Sequence, residues 1–127
     1  MKTPLNISKY KPETAKAVSW PEIERNYIDL ANTHSGFNPM LQLVKHIIST
    51  KLSDRLFAYT SMHKLVVSIY KPIEWNREAL HIEFDVLDNK WHLKYYSKPK
   101  EPVEFERNYA PEKGIEKFDA FIKLIKW

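Results

Sequence analysis

The chain has no cysteine and only two glycines among its 127 residues, and each shortage removes a class of chemistry. Without thiols there is no disulfide scaffold, thiolate zinc site, iron–sulfur cluster or cysteine nucleophile, and the expected setting is a reducing one, the cytoplasm. Two glycines cannot build the phosphate-cradling loops of nucleotide-binding proteins, which need several for close backbone approach. No cofactor of any kind is therefore expected. Long apolar runs are also missing: nothing approaches the roughly 20 residues of a membrane span. The opening MKTPLNISKYKPETAK lacks an apolar core of signal-peptide length. The expectation is a soluble protein made without a cleavable address and without membrane contact.

What is present suits one compact domain. With 43% hydrophobic residues the chain can bury a core of its own, but it is too short for two. The net charge of +4 is unevenly placed. Lys2, Lys9, Lys11 and Lys16 face only Glu13 near the start, and a second excess lies between Arg55 and Lys100. This weak positive field can steer an acidic partner, but it lacks the consecutive basic residues or Arg-rich helix that grips phosphate. Residues 1–18, proline-containing and without periodicity, read as an extended N-terminal arm, and residues 19–127 as a single α+β domain.

Three helix starts share one chemistry, a proline in the first turn where its missing N–H costs nothing. Ser19-Trp20-Pro21-Glu22 opens a helix with Ile23, Tyr27, Leu30 and Ala31 on one face, broken at His34-Ser35-Gly36. Asn38-Pro39 opens a second, whose Met40, Leu41, Leu43, Val44, Ile47 and Ile48 form an arc wide enough to pack on two sides. Ala110-Pro111-Glu112 opens the last, with Ile115, Phe118, Phe121, Ile122 and Ile125 facing inward. Between them the period changes to two. Leu56, Ala58 and Thr60 alternate with Phe57, Tyr59 and Ser61, and a Met62-His63 turn leads to Leu65, Val67 and Ile69 alternating with Val66, Ser68 and Tyr70.

The clearest stretch is ALHIEFDVLDNKWHLKYYS, residues 79–97, a hairpin in which Asp88-Asn89 reads as a two-residue turn. Counting outward from that turn pairs Val86 with Trp91, Phe84 with Leu93 and Ile82 with Tyr95 on one face. On the other face Asp85 meets His92, Glu83 meets Lys94 and His81 meets Tyr96. Val103 and Phe105 suggest a fifth, edge strand. The predicted fold is α+β: an antiparallel four- to five-stranded meander with two N-terminal helices and one C-terminal helix packed on one face.

The five histidines do not suggest a metal site. In the register above His81 and His92 are roughly 13 Å apart, too far for one ion with ligands about 2 Å away. Asp85 opposite His92 resembles an orienting dyad, but no nucleophile or oxyanion-hole signature accompanies it, and a cross-strand ion pair is the expectation. Tyr59, Tyr70 and Tyr96 with Lys64 and Lys94 could stack single-stranded bases, yet Glu83 and Asp85 on the same face would repel phosphates. Nucleic acid is therefore not the expected partner.

The feature left over is the second face of the sheet. If the helices cover the Leu65, Val67, Ile82, Phe84 and Leu93 side, then Phe57, Tyr59, Val66, Tyr70, His81, His92 and Tyr96 remain uncovered, with Glu83, Asp85 and Lys94 among them. Aromatics mixed with a few charges compose protein-binding surfaces, and Trp75 with Arg77 in the adjoining loop are residue types that dominate binding energy. The expected protein-binding set is Phe57, Tyr59, Tyr70, Trp75, Arg77, His81, Asp85, His92, Lys94 and Tyr96. In outline, a small cysteine-free α+β domain of this kind resembles the immunity proteins that neutralise bacterial toxins. The resemblance is architectural and implies a non-catalytic inhibitor whose partner is a cognate toxin. Homodimerisation through the same face, and a small-ligand or enzymatic pocket around His81, Asp85, His92 and Tyr96, are the competing expectations.

Overall fold

A computed structural model describes residues 14–74, 77–97 and 104–127. It contains a five-stranded antiparallel sheet with three helices: β1 (Thr14–Ala15), α1 (Trp20–Thr33), α2 (Asn38–Ser49), β2 (Phe57–Ser61), β3 (Lys64–Ser68), β4 (Ile73–Glu74), β5 (Ala79–Asp85), β6 (Lys90–Tyr96), β7 (Phe105–Tyr109) and α3 (Gly114–Leu124). The large sheet runs β2-β3-β5-β6-β7, so each strand lies beside the next of its length in the chain, as a meander requires. Phe105 does open the edge strand; Val103 falls outside the described residues. The short pairs Thr14 with Glu74 and Ala15 with Ile73 form a separate two-stranded sheet, and Val18 bridges Ala58. The C-terminal part of the expected arm is thus paired to the domain.

Local chemistry explains the helix ends. The Ser19 hydroxyl accepts from the Glu22 amide at 3.3 Å, which satisfies one of the unpaired donors of the first turn of α1. α2 starts without such a cap. Asn38 already lies inside it, and a 3-10 turn at Ser35–Phe37 runs directly into it, itself capped by His34 Nδ1 accepting from the Gly36 amide. Pro111–Lys113 likewise form a 3-10 turn ahead of α3. Gly114 is there for space: a Cβ on it would overlap the Trp91 indole, whose Nε1 donates to the Pro111 carbonyl at 2.9 Å.

All three helices contribute to one core. Ile23 and Tyr27 from α1, Met40, Leu43, Val44 and Ile47 from α2, and Phe118 and Ile122 from α3 join Ala58, Leu65, Val67, Leu80, Ile82, Trp91 and Leu93 of the sheet. The edge ring contacts extend it, with Phe121 against Tyr95 at 5.3 Å and stacked on Phe105 at 4.6 Å. Two polar groups of the core are paired: Trp20 Nε1 donates to the Leu56 carbonyl at 2.9 Å and Tyr27 Oη to the His63 carbonyl at 3.0 Å. That last bond lies at the Met62-His63 turn, where both residues have positive φ (50° and 71°) without being glycine. The Phe37 ring, 5.1 Å from the His63 ring, supports the same turn.

The central hairpin departs from its predicted register by two residues. Phe84 pairs with Trp91, Ile82 with Leu93, Leu80 with Tyr95, Glu83 with His92, His81 with Lys94 and Asp85 with Lys90. Asp88-Asn89 is therefore not a two-residue turn but half of a four-residue loop, Val86 to Asn89. The Asp85 carboxylate causes this: its Oδ1 accepts from the amides of Leu87 and Asp88, both at 3.0 Å, and Asn89 takes the left-handed conformation with φ 56°. A slip of two keeps every side chain on its predicted face. The faces are right and the partners are not.

Candidate functional site

The sheet face opposite the helices is built by alternation along β2, β3, β5 and β6. Tyr59 stands opposite Val66, and Val66 opposite His81. His81 stands opposite Lys94, and Glu83 opposite His92. The face is not uniformly open. Val66, expected to be uncovered, is 2% exposed, and Ser68 is fully buried. Ser68 Oγ donates to the Glu78 carbonyl at 3.0 Å and accepts from the Tyr70 amide at 3.3 Å, which fixes the chain just beyond the end of β3. Ile73 and Ala79 are also buried outside the main core. Two clusters of partly exposed side chains lie on this face.

The first cluster surrounds Tyr70. Its hydroxyl donates to Glu78 Oε2 at 2.8 Å, and the Arg77 guanidinium lies 4.0 Å from its ring centre. Arg77 is exposed and its Nε is 3.9 Å from Glu78 Oε1. Trp75, assigned to the same loop, falls outside the described residues. Phe57 and Tyr59 are half-buried, with the Lys71 ammonium 5.7 Å from the Phe57 ring.

The second cluster is a pocket of about 70 Å³ lined by Lys64, His81, Glu83, His92, Lys94 and Tyr96. The register correction has its main consequence here. Because His92 faces Glu83 and not Asp85, it lies one alternate position from His81, and the two imidazoles border one pocket in place of the roughly 13 Å separation expected. The His81 and Tyr96 rings meet diagonally at 4.8 Å. Burial, followed by the charges of Lys64 and Lys94, lowers the His81 pKa to about 4, so the imidazole is neutral near pH 7. The expected Asp85–His92 pair survives only as a diagonal approach. His92 Nε2 lies 3.8 Å from Asp85 Oδ2, beyond hydrogen-bond distance, and is buried with no hydrogen-bond partner among the described residues.

Among the described residues, one group of three metal-ligating side chains gathers at the hairpin loop. Donor atoms of Asp85, Asp88 and His92 lie within 4.8 Å of one another. Ligands about 2 Å from a tetrahedral ion sit roughly 3.3 Å apart, so the trio would have to contract to hold one. Asp85 already serves the loop, accepting from two amides.

Two features were invisible in sequence. His46 Nε2 lies 2.8 and 2.9 Å from the two Asp119 oxygens, joining α2 to α3 across 73 residues of chain. A cleft of about 340 Å³ beside α1 is lined by Asn26, Tyr27, Asp29, Leu30, Thr33, Thr60 and His63. Neither has a spacing signal, because each is assembled from separate elements. Among the described residues no helix is long and apolar enough to cross a membrane. No protein-family model matches the chain, and neither curated proteins nor solved structures yield a match.

Proposed function

We propose that the chain is a non-catalytic binding protein that engages another protein through the sheet face opposite its helices. Its most concrete form is an immunity protein that neutralises a bacterial toxin by covering the toxin's working surface. The observation that supports this reading is the composition and exposure of that face. Phe57, Tyr59, Tyr70 and Tyr96 are half-buried, with Ser68 and Val66 buried opposite Phe57 and Tyr59 on the neighbouring strand and Arg77 exposed. Aromatic rings that are already ordered lose little entropy on binding, and Arg and Tyr contribute disproportionately to interface energy.

The test is affinity capture from the source cell with the intact protein, Tyr59→Ala and Tyr96→Ala variants, and a Lys123→Ala control on α3. A partner retained by the wild type and the control, and weakened by about 2 kcal/mol or more in either tyrosine variant, supports the reading. Equal retention by all four rejects it, and self-association lost in the tyrosine variants assigns the face to a homodimer.

The small-ligand reading is favoured by the cleft at Tyr27 and His63, which falls within the usual size range of ligand sites. The His81 pocket, where a ligand was first expected, is about 70 Å³ and far below that range.

A further inference from the structure

We propose that the pocket between Lys64, His81, His92, Lys94 and Tyr96 is an oxyanion site, and that in the complex it receives an aspartate or glutamate carboxylate of the partner protein. This deepens the binding reading above and rests on it for the identity of the occupant, though not for the site itself.

Size is the first argument. The pocket is small, about 70 Å³, which leaves room for a single carboxylate. The second is the donor set. Three strands, β3, β5 and β6, bring two ammonium groups, two imidazoles and a phenol to one small cavity. Among the described residues Lys94 is engaged by Glu106 alone, at 3.7 Å in an exposed pair worth little. Lys64 has no carboxylate within 4.0 Å among the described residues.

Glu83 is the one acceptor with a full negative charge on the lining, and it is exposed. Its effect on the local potential is outweighed. The groups facing His81 are Lys64 from β3, Glu83 on its own strand, and His92, Lys94 and Tyr96 from β6, and the two lysines together disfavour a proton on its ring. Burial is the larger cause of that effect and disfavours any charge, but the Lys64 and Lys94 ammonium groups add positive potential at the ring, which favours an anion in the pocket. An arriving carboxylate reverses that repulsion, so binding is accompanied by proton uptake at His81, and affinity rises as pH falls through the raised pKa of the bound state.

The experiment is a titration of the full chain with sodium acetate against sodium chloride at equal ionic strength, followed by the imidazole NMR signals at pH 7.5 and 5.5. The expected result is a saturable acetate response at His81 and His92, absent with chloride and tighter at the lower pH. In the Lys64→Gln, Lys94→Gln double variant the response weakens by about tenfold or more, the loss expected for charge-assisted hydrogen bonds. Lys64→Gln alone serves if the double variant does not fold. A linear response equal to that of chloride, or a saturable one unchanged in the lysine variants, overturns the assignment. Either failure leaves the partner-binding face to be judged by the tyrosine variants, and acetate binding without a partner phenotype retains the site while rejecting the partner.

Discussion

On the sheet face beneath the helices Leu65, Val67, Leu80, Ile82 and Leu93 are each at most 1% exposed, whereas the opposite face of those same strands leaves Tyr59, His81, His92 and Tyr96 half-buried around Val66 and Ser68. One face is closed by apolar contacts from three helices. Among the described residues the other is closed at one end, where Val66 and Ala79 are buried and Ser68 and Tyr70 bond to Glu78. The difference teaches that burial on the second face orders side chains without sealing them. Stability is therefore concentrated on the helix-covered side of the sheet, and the surface we propose for recognition lies on the other.

Substitutions should divide along that line. Leu93→Ala, on the closed face, is expected to cost about 2–5 kcal/mol in chemical denaturation, through lost burial and the cavity left behind. Gly114→Ala should cost about 1–3 kcal/mol by forcing the Trp91 indole from its position, with the hydrogen bond to Pro111 lost as well. A neutral outcome for Leu93→Ala would break the distinction between the faces.

The open face should respond to pH instead. His81 has a folded pKa of about 4, depressed from 6.5. The unfolded chain then binds more protons between those values, so stability rises with pH across that interval and is lost as pH falls through it. After discounting for the solvent-facing edge of the ring, the contribution is about 1–2 kcal/mol. His81→Leu should flatten the pH 4–6.5 limb of the stability profile; an unchanged limb would show that another group is responsible.

Asp85→Ala sharpens the comparison at the hairpin. It removes the acceptor for the Leu87 and Asp88 amides and should cost about 1 kcal/mol. A two-residue turn would not have needed that carboxylate, so a neutral result contradicts the four-residue loop. Tyr96→Ala should have the smallest effect on folding, about 1 kcal/mol or less by thermal unfolding, with its main effect on partner affinity.

Much of this division was legible in the residues themselves. The prolines at positions 21 and 39 marked helix starts, Pro111 marked the 3-10 turn that leads into α3, and the alternation from Leu80 to Tyr95 assigned side chains to their faces. Register was harder to read, because a period of two cannot distinguish pairings that differ by two residues. The deciding signal lay in Asp85 as a loop acceptor and in the left-handed Asn89. With it came the shared His81–His92 pocket, which the wrong register concealed. The β1–β4 pair, two residues a side, is too short to show any period. The His46–Asp119 contact depends on how two helices cross, and nothing local encodes it.

The most direct measurement is tyrosine nitration of the folded protein followed by peptide mass spectrometry, with Tyr27, 2% exposed beneath the helices, as the internal reference. Tyr59, Tyr70 and Tyr96 should react well before Tyr27, and should become protected when the captured partner is added. Resistance of all three to the degree shown by Tyr27 would mean that the second face is sealed, and the proposed surface would not exist.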